Sequence, residues 1–158
     1  MTENDTSPAG KAVSATFSCQ ANPPQRILVV DDEASVRLLI TNSLARAGYR
    51  VDAAADGALA WEALQVRRYD LLITDNAMPK ITGIALVKKL RGQSSTLPVV
   101  MATGTIPEEL ARHPSLGISE VLLKPFTVEQ ILKTVKDVLC QTGSAGTASI
   151  NSHLSTQL

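Results

Sequence analysis

Short unbroken apolar runs alternate along this chain with segments whose apolar residues recur every three or four positions. Ile27, Leu28, Val29 and Val30 form a β-branched run that predicts a first strand, stopped by Asp31, Asp32 and Glu33. Val36, Leu39, Ile40 and Leu44 then fall on one helical stripe. Residues 49–53 read as a second strand, and Asp56-Gly57 turns into a helix carrying Leu59, Ala60, Ala63 and Leu64. Leu71, Leu72 and Ile73 are apolar without interruption, as in a parallel strand buried on both faces, and they lead to Thr74 and Asp75. Pro79 has no N–H and cannot continue that ladder.

Gly83 opens or precedes a third helix with Ala85, Leu86, Val87 and Leu90 inward, and residues 97–102 predict a fourth strand ending at Thr103-Gly104. The next helix is poor, because Pro107 can start it and Pro114 must stop it. Val121, Leu122 and Leu123 form a fifth strand ending at Lys124-Pro125. Val128, Ile131, Leu132, Val135, Val138 and Leu139 give a regular stripe for a last helix from about Thr127, a suitable N-cap, to Cys140. Five strand–helix units in succession predict an α/β fold with a five-stranded, doubly wound parallel sheet and helices on both faces. The flavodoxin-like order 2-1-3-4-5 is the natural arrangement for five such units, with its switch point between strands 1 and 3.

Flanking segments differ in composition. Residues 1–24 are rich in Thr, Ser, Ala, Asn and Pro, and are expected to form a disordered arm. Residues 25–141 are the expected domain, and 142–158 a flexible tail. No output domain is expected beyond residue 141.

Composition narrows the function classes. The 158 residues carry equal numbers of acidic and basic side chains, so charge gives no argument for nucleic acid or an acidic membrane as partner. No apolar run approaches the roughly 18–20 residues that a membrane span needs, and none near the N-terminus suits a signal peptide, so the expected location is cytoplasmic. Two cysteines, Cys19 and Cys140, are too few for a disulfide framework and read as incidental.

Polar residues stand directly after four of the apolar runs: Asp31 and Asp32, Asp75, Thr103, and Lys124. Singly, each has a bland explanation; Asp32 suits an N-cap, and Thr103 a loop hydroxyl. As a set they do not, since carboxylates at adjacent strand ends repel one another unless a cation sits among them. Oxygen donors with no His or Cys nearby suit a hard ion, Mg²⁺ or Mn²⁺. Asp32 would bind such an ion directly, and Asp31 through a water. Asp75 would be a carboxylate nucleophile for a phosphoryl group, with Lys124 and the Thr103 hydroxyl on the phosphoryl oxygens.

With these motifs in order, the chain resembles a bacterial two-component response-regulator receiver domain of the chemotaxis type. The motifs are residues 29–33, Asp75 with Met78-Pro79 and Gly83, Thr103 after residues 98–102, and Lys124-Pro125-Phe126. The resemblance covers about residues 25–141. It implies a histidine kinase or histidine phosphotransfer protein as phosphoryl donor, and Mg²⁺ with the backbone carbonyl of Ala77 as a further ligand. It also implies a downstream protein partner on the face of helix 4, strand 5 and helix 5. The chain departs from the family pattern at Val121, where an aromatic residue is common, at Gly104, which usually is Ala, and at Ala77, where a polar residue is frequent.

Three rival readings stand beside this one. A haloacid-dehalogenase-type phosphatase wants a second Asp two residues after the nucleophile, where Ala77 stands. A flavin or nucleotide binder wants glycines and backbone N–H groups at the first strand–helix turn, where three acidic residues stand. A pseudo-receiver would bind partners without phosphorylation. The expected role is therefore a stoichiometric phosphoacceptor, and not an enzyme.

Overall fold

A computed structural model describes residues 23–145 of the chain. Most of the expected arm, including Cys19, lies outside the described residues, as does the tail from residue 146. Five strands alternate with helices: β1 (Arg26–Val30), α1 (Ala34–Arg46), β2 (Arg50–Ala54), α2 (Gly57–Val66), β3 (Leu71–Thr74) and α3 (Gly83–Gly92). There follow β4 (Val99–Thr103), α4 (Glu108–Arg112), a 3-10 turn (Pro114–Leu116), β5 (Glu120–Leu123) and α5 (Val128–Ala145).

All strand pairs are parallel and the sheet order is β2-β1-β3-β4-β5. Alternate residues of the central strands feed two separate cores, as the continuous apolar runs require. Leu28, Val30, Leu72, Val99 and Met101 pack with Ala60, Leu86, Val87 and Leu90 on the α2–α3 side. Ile27, Val29, Leu71, Ile73, Val100 and Ala102 pack with Ile40, Leu44, Ile131 and Val135 on the α1–α5 side.

Several local expectations are corrected. Leu39 is 45% exposed, and the inward stripe of α1 runs through Ile40 and Leu44 with Arg37 half-buried beside it. Pro107 is the N-cap of α4 rather than its first helical residue, and α4 buries none of its side chains. α5 continues to Ala145, past the expected helix end at about Cys140. Its last turns are supported by the Thr142 hydroxyl, which donates to the Leu139 carbonyl at 2.9 Å. The N-cap at Thr127 is as expected and forms a reciprocal box: Thr127 N–H donates to Gln130 Oε1, and Gln130 N–H to Thr127 Oγ1. Cys140 is disulfide-bonded, which corrects its reading as incidental.

Candidate phosphoryl and metal site

The sheet delivers its polar residues to one end because each follows a strand by a single step, or closes it. Their backbones still belong to the ladder. The Asp31 N–H donates to the Ala54 carbonyl (3.3 Å), the Asp75 N–H to Val30 (2.9 Å) and the Lys124 N–H to Thr103 (2.9 Å). The backbone at this edge is thus anchored in the sheet before each loop begins.

Asp31 and Asp75 are buried, whereas Asp32 is exposed at the rim. One carboxylate oxygen from each of the three lies within 4.8 Å of the others. Lys124 joins two of them, with Nζ 2.7 Å from Asp31 Oδ2 and 3.2 Å from Asp75 Oδ2. The other Asp75 oxygen, Oδ1, accepts the N–H groups of Asn76 (2.6 Å) and Ala77 (3.3 Å). Thr103 closes β4 and is 2% exposed, and its hydroxyl has no hydrogen-bond partner among the described residues. Asp31, Asp32, Asp75, Thr103 and Lys124 therefore converge, with Ala77 exposed next to them.

Burial raises the Asp31 carboxyl above its usual range, against the opposing pull of the Lys124 hydrogen bond and the Glu33 N–H. Burial pulls the Lys124 ammonium down, but the hydrogen bond and charge of Asp31, with the charge of Asp75, outweigh it and leave Lys124 raised. A single ammonium thus faces three carboxylates. An all-oxygen donor set with surplus negative charge fits a hard divalent cation.

The loop that follows Asp75 is fixed from two sides. Gly83 admits α3 so close to the sheet that a Cβ at this position would be driven into the Asp75 carbonyl oxygen. Asn76 turns away from the pocket: its Oδ1 accepts the Ile84 N–H at 3.1 Å, and its backbone carbonyl accepts Gly83 N–H. From the other side, Asp56 caps α2 through the N–H groups of Ala58 and Leu59, and also holds Lys80 Nζ at 2.7 Å. Gly57 lets the start of α2 meet the Ile81 carbonyl in the same way.

Two arginines were not legible as site or scaffold residues. Arg91, which reads from the sequence as part of a solvated face with Lys88 and Lys89, is half-buried and donates to the carbonyls of Ser95, Leu97, Leu116 and Gly117. Lys89 instead lies over the Trp61 ring, 4.9 Å from its centroid, and Lys88 pairs with Glu109. Arg37 donates from Nη1 to the Asp31 backbone carbonyl at 2.6 Å. Its helical spacing to residues 40 and 44 marks an inward position, but nothing in the sequence names the carbonyl it meets.

A 2-1-3-4-5 parallel sheet with an acidic trio and a lysine at its carboxyl edge defines a receiver-type phosphoacceptor domain. The response regulator receiver domain model matches residues 27–136, and the chain belongs to that family. Its class is the phosphoacceptor signalling domain of two-component systems. Among solved structures it is similar to the chemotaxis response regulator CheY4 of Vibrio cholerae, at 39% identity and a TM-score of 0.67, covering 73% of this chain and 98% of that one. It is also similar to TrrA of Thermotoga maritima, solved in complex with Mg²⁺ and BeF, at 30% identity and a TM-score of 0.64, covering 72% of this chain and 98% of that one. Among curated relatives, the sensor protein EvgS of Escherichia coli is 41% identical over 109 residues, or 68% of this chain. The alkaline phosphatase synthesis transcriptional regulatory protein PhoP of Bacillus subtilis is 34% identical over 126 residues, or 79% of this chain. The chain spans 9% of the length of EvgS and 52% of that of PhoP. No helix among the described residues is long and apolar enough to cross a membrane.

Proposed function

We propose that Asp75 is the phosphoacceptor, and that it takes its phosphoryl group from the phosphohistidine of a histidine kinase or histidine phosphotransfer protein. The observation that carries this reading is the convergence of Asp31, Asp32 and Asp75 within 4.8 Å, with Lys124 bridging Asp31 and Asp75. A carboxylate oxygen of Asp75 attacks phosphorus as the P–N bond breaks, and the electron pair leaves with the imidazole, which takes up a proton. The product is an acyl phosphate. Asp31, Asp32, Asp75 and the Ala77 carbonyl would hold Mg²⁺, with Mn²⁺ a possible substitute. When bound, that ion supplies charge neutralisation between Asp75 and the incoming phosphoryl group.

Lys124 donates to a phosphoryl oxygen, and loses its ion pair with Asp75 when that carboxylate becomes the acyl phosphate. The Thr103 hydroxyl donates to a second oxygen. Because Thr103 ends β4, its movement draws in the loop that leads to α4, a short helix held by half-buried Leu110 on the α2–α3 core and by the Lys88–Glu109 ion pair. That is a local charge event biasing a loosely anchored element. A downstream protein partner would read the face of α4, β5 and α5, where Ile106, Leu123 and Val128 are exposed. Val121 is half-buried against the α2–α3 core, so the switch here runs through Thr103 and its loop rather than through a rotating aromatic ring. Membership of the receiver family over residues 27–136 supports a signalling module rather than an enzyme, and a phosphoryl donor of the kinase type would put it in the cytoplasm.

The test is intact-mass measurement after incubation with Mg²⁺ and a small acyl-phosphate donor. Wild type is expected to gain one phosphoryl group and Asp75→Asn none. If neither gains mass, and beryllofluoride with Mg²⁺ changes nothing, the domain acts as a pseudo-receiver, an interaction module independent of phosphorylation.

A further inference from the structure

We propose that Arg37 is a positioning residue for the metal-binding carboxylates and acts through the peptide that carries them. The inference rests on the divalent-ion site proposed above. Asp31 and Asp32 lie in the step between the end of β1 and the start of α1, where the side-chain N-cap bond that usually fixes the start of a helix is missing. The α1 N-cap, Glu33, makes no side-chain cap bond, and the first turn of α1 has no acidic residue. The Glu33 carboxylate takes the Ser35 hydroxyl instead. Asp31 itself is tied by its side chain to the Glu33 N–H (2.8 Å) and to Lys124. The Asx turn to Glu33 restrains the peptide between Asp31 and Asp32, but neither bond reaches that peptide's carbonyl oxygen.

Arg37 does. Its Nη1 meets the Asp31 carbonyl oxygen at 2.6 Å, a hydrogen bond made short and strong by the donor charge. The guanidinium is half-buried, and no carboxylate among the described residues forms an ion pair with it. Its place follows from helix geometry, since Arg37 lies one turn before Ile40 and two turns before Leu44 on the inward side of α1. The Asp31 carbonyl belongs to the peptide linking the two carboxylate-bearing residues, so holding it sets the aim of the buried Asp31 and the exposed Asp32 together. Groups that orient metal ligands in this way typically change affinity by about 10–100-fold.

The sign of the effect separates positioning from simple charge. A cation close to the site repels Mg²⁺, so loss of charge alone would tighten Mg²⁺ binding. Loss of positioning weakens it. The experiment is calorimetric titration of MgCl₂ into wild type, Arg37→Ala, Arg37→Lys and Asp32→Asn, with thermal melts of each in EDTA. The expected result is a Mg²⁺ Kd about tenfold higher in Arg37→Ala, a value between the two for Arg37→Lys, which keeps a donor but not the fork, and Kd changes that do not follow the shifts in Tm. Unchanged or tighter binding in Arg37→Ala, with wild type binding and Asp32→Asn defective, overturns the role of Arg37 and leaves the site intact. Absence of Mg²⁺ binding by wild type overturns the site, and the role of Arg37 falls with it. Should Arg37→Ala fail to fold, Arg37→Lys carries the same comparison.

Discussion

Lys124 Nζ lies 2.7 Å from Oδ2 of Asp31, 93 positions away along the chain, and this contact makes the lysine a rival of any divalent ion for the same carboxylate. Lys124 also reaches Asp75. Replacing Lys124 by Gln is therefore expected to have opposite effects on two observables. Mg²⁺ should bind several-fold more tightly, because a competing charge is gone. Phosphoryl acceptance at saturating Mg²⁺ should slow by on the order of a hundredfold, as when a donor to developing charge is removed. Calorimetry and intact-mass time courses check the two arms; parallel changes would show that the lysine serves only the fold.

Gly83 and Gly104 should respond in opposite ways to the same substitution. A methyl at Gly83 runs into the Asp75 carbonyl, and backbone must shift. Gly83→Ala is expected to cost about 1–3 kcal/mol by urea unfolding and to impair acceptance at Asp75, because the loop that positions its carboxylate moves with α3. A methyl at Gly104 meets nothing within 4 Å. Gly104→Ala should keep or slightly raise stability and lengthen the life of the acyl phosphate by stiffening an exposed loop beside the site. A shorter phosphoryl lifetime in Gly104→Ala would count against solvent access as the reason.

Arg91 satisfies four carbonyls that join the end of α3 to the turn before β5. Arg91→Ala leaves those acceptors without their charged donor and should destabilise the domain by about 2–3 kcal/mol in urea. Arg91→Lys should recover only a minor part, since an ammonium cannot reproduce the fork. Phosphoryl acceptance in native conditions should survive, because the clamp lies at the opposite edge of the sheet from Asp75.

Asp52 offers a pH test away from the site. Burial pushes Asp52 up, but the hydrogen bonds of Tyr69 and Arg26 and the charges of Arg26 and Arg67 outweigh it, so its carboxyl lies below the usual value. The stability it contributes is present above its unfolded pKa of about 3.9 and is lost as pH falls through the lowered folded value. Tyr69 responds at the other end: burial, then the bond and charge of Asp52, push its phenol up to about 12. Between the unfolded value of about 10 and that point, the unfolded chain has released a proton that the folded one retains, so stability falls as pH rises. Tyrosinate absorbance should show Asp52→Asn bringing the Tyr69 transition down, with Tyr49, raised by burial alone, unmoved.

The residues that were legible in the sequence are those whose surroundings are simple. Strands buried on both faces write themselves as unbroken apolar runs, so Ile73 and Val30 marked the edge where Asp75 and Asp31 emerge. The same logic placed Thr103 at the end of β4, whereas Lys124 follows an edge strand with no buried residue, whose apolar run marked it all the same. Arg37 and Arg91 were not legible because their partners are backbone carbonyls, which every residue carries and no sequence displays. Leu39 misled because a helix stripe read from apolar letters alone ignores that a long polar side chain can fill the inward position. The end of α5 was misplaced because Thr142 and Gly143 read as tail, whereas the Thr142 hydroxyl supports the last turns.

The placement of the acidic residues after β1 and β3, and of the lysine after β5, has a consequence for how the protein is made. On the ribosome, both carboxylate-bearing strands emerge long before Lys124. Until the last strand has joined the sheet, the Lys124 ammonium is missing from between Asp31 and Asp75, and the phosphoryl pocket is incomplete. The residues proposed to accept a phosphoryl group therefore come together only with the completed fold.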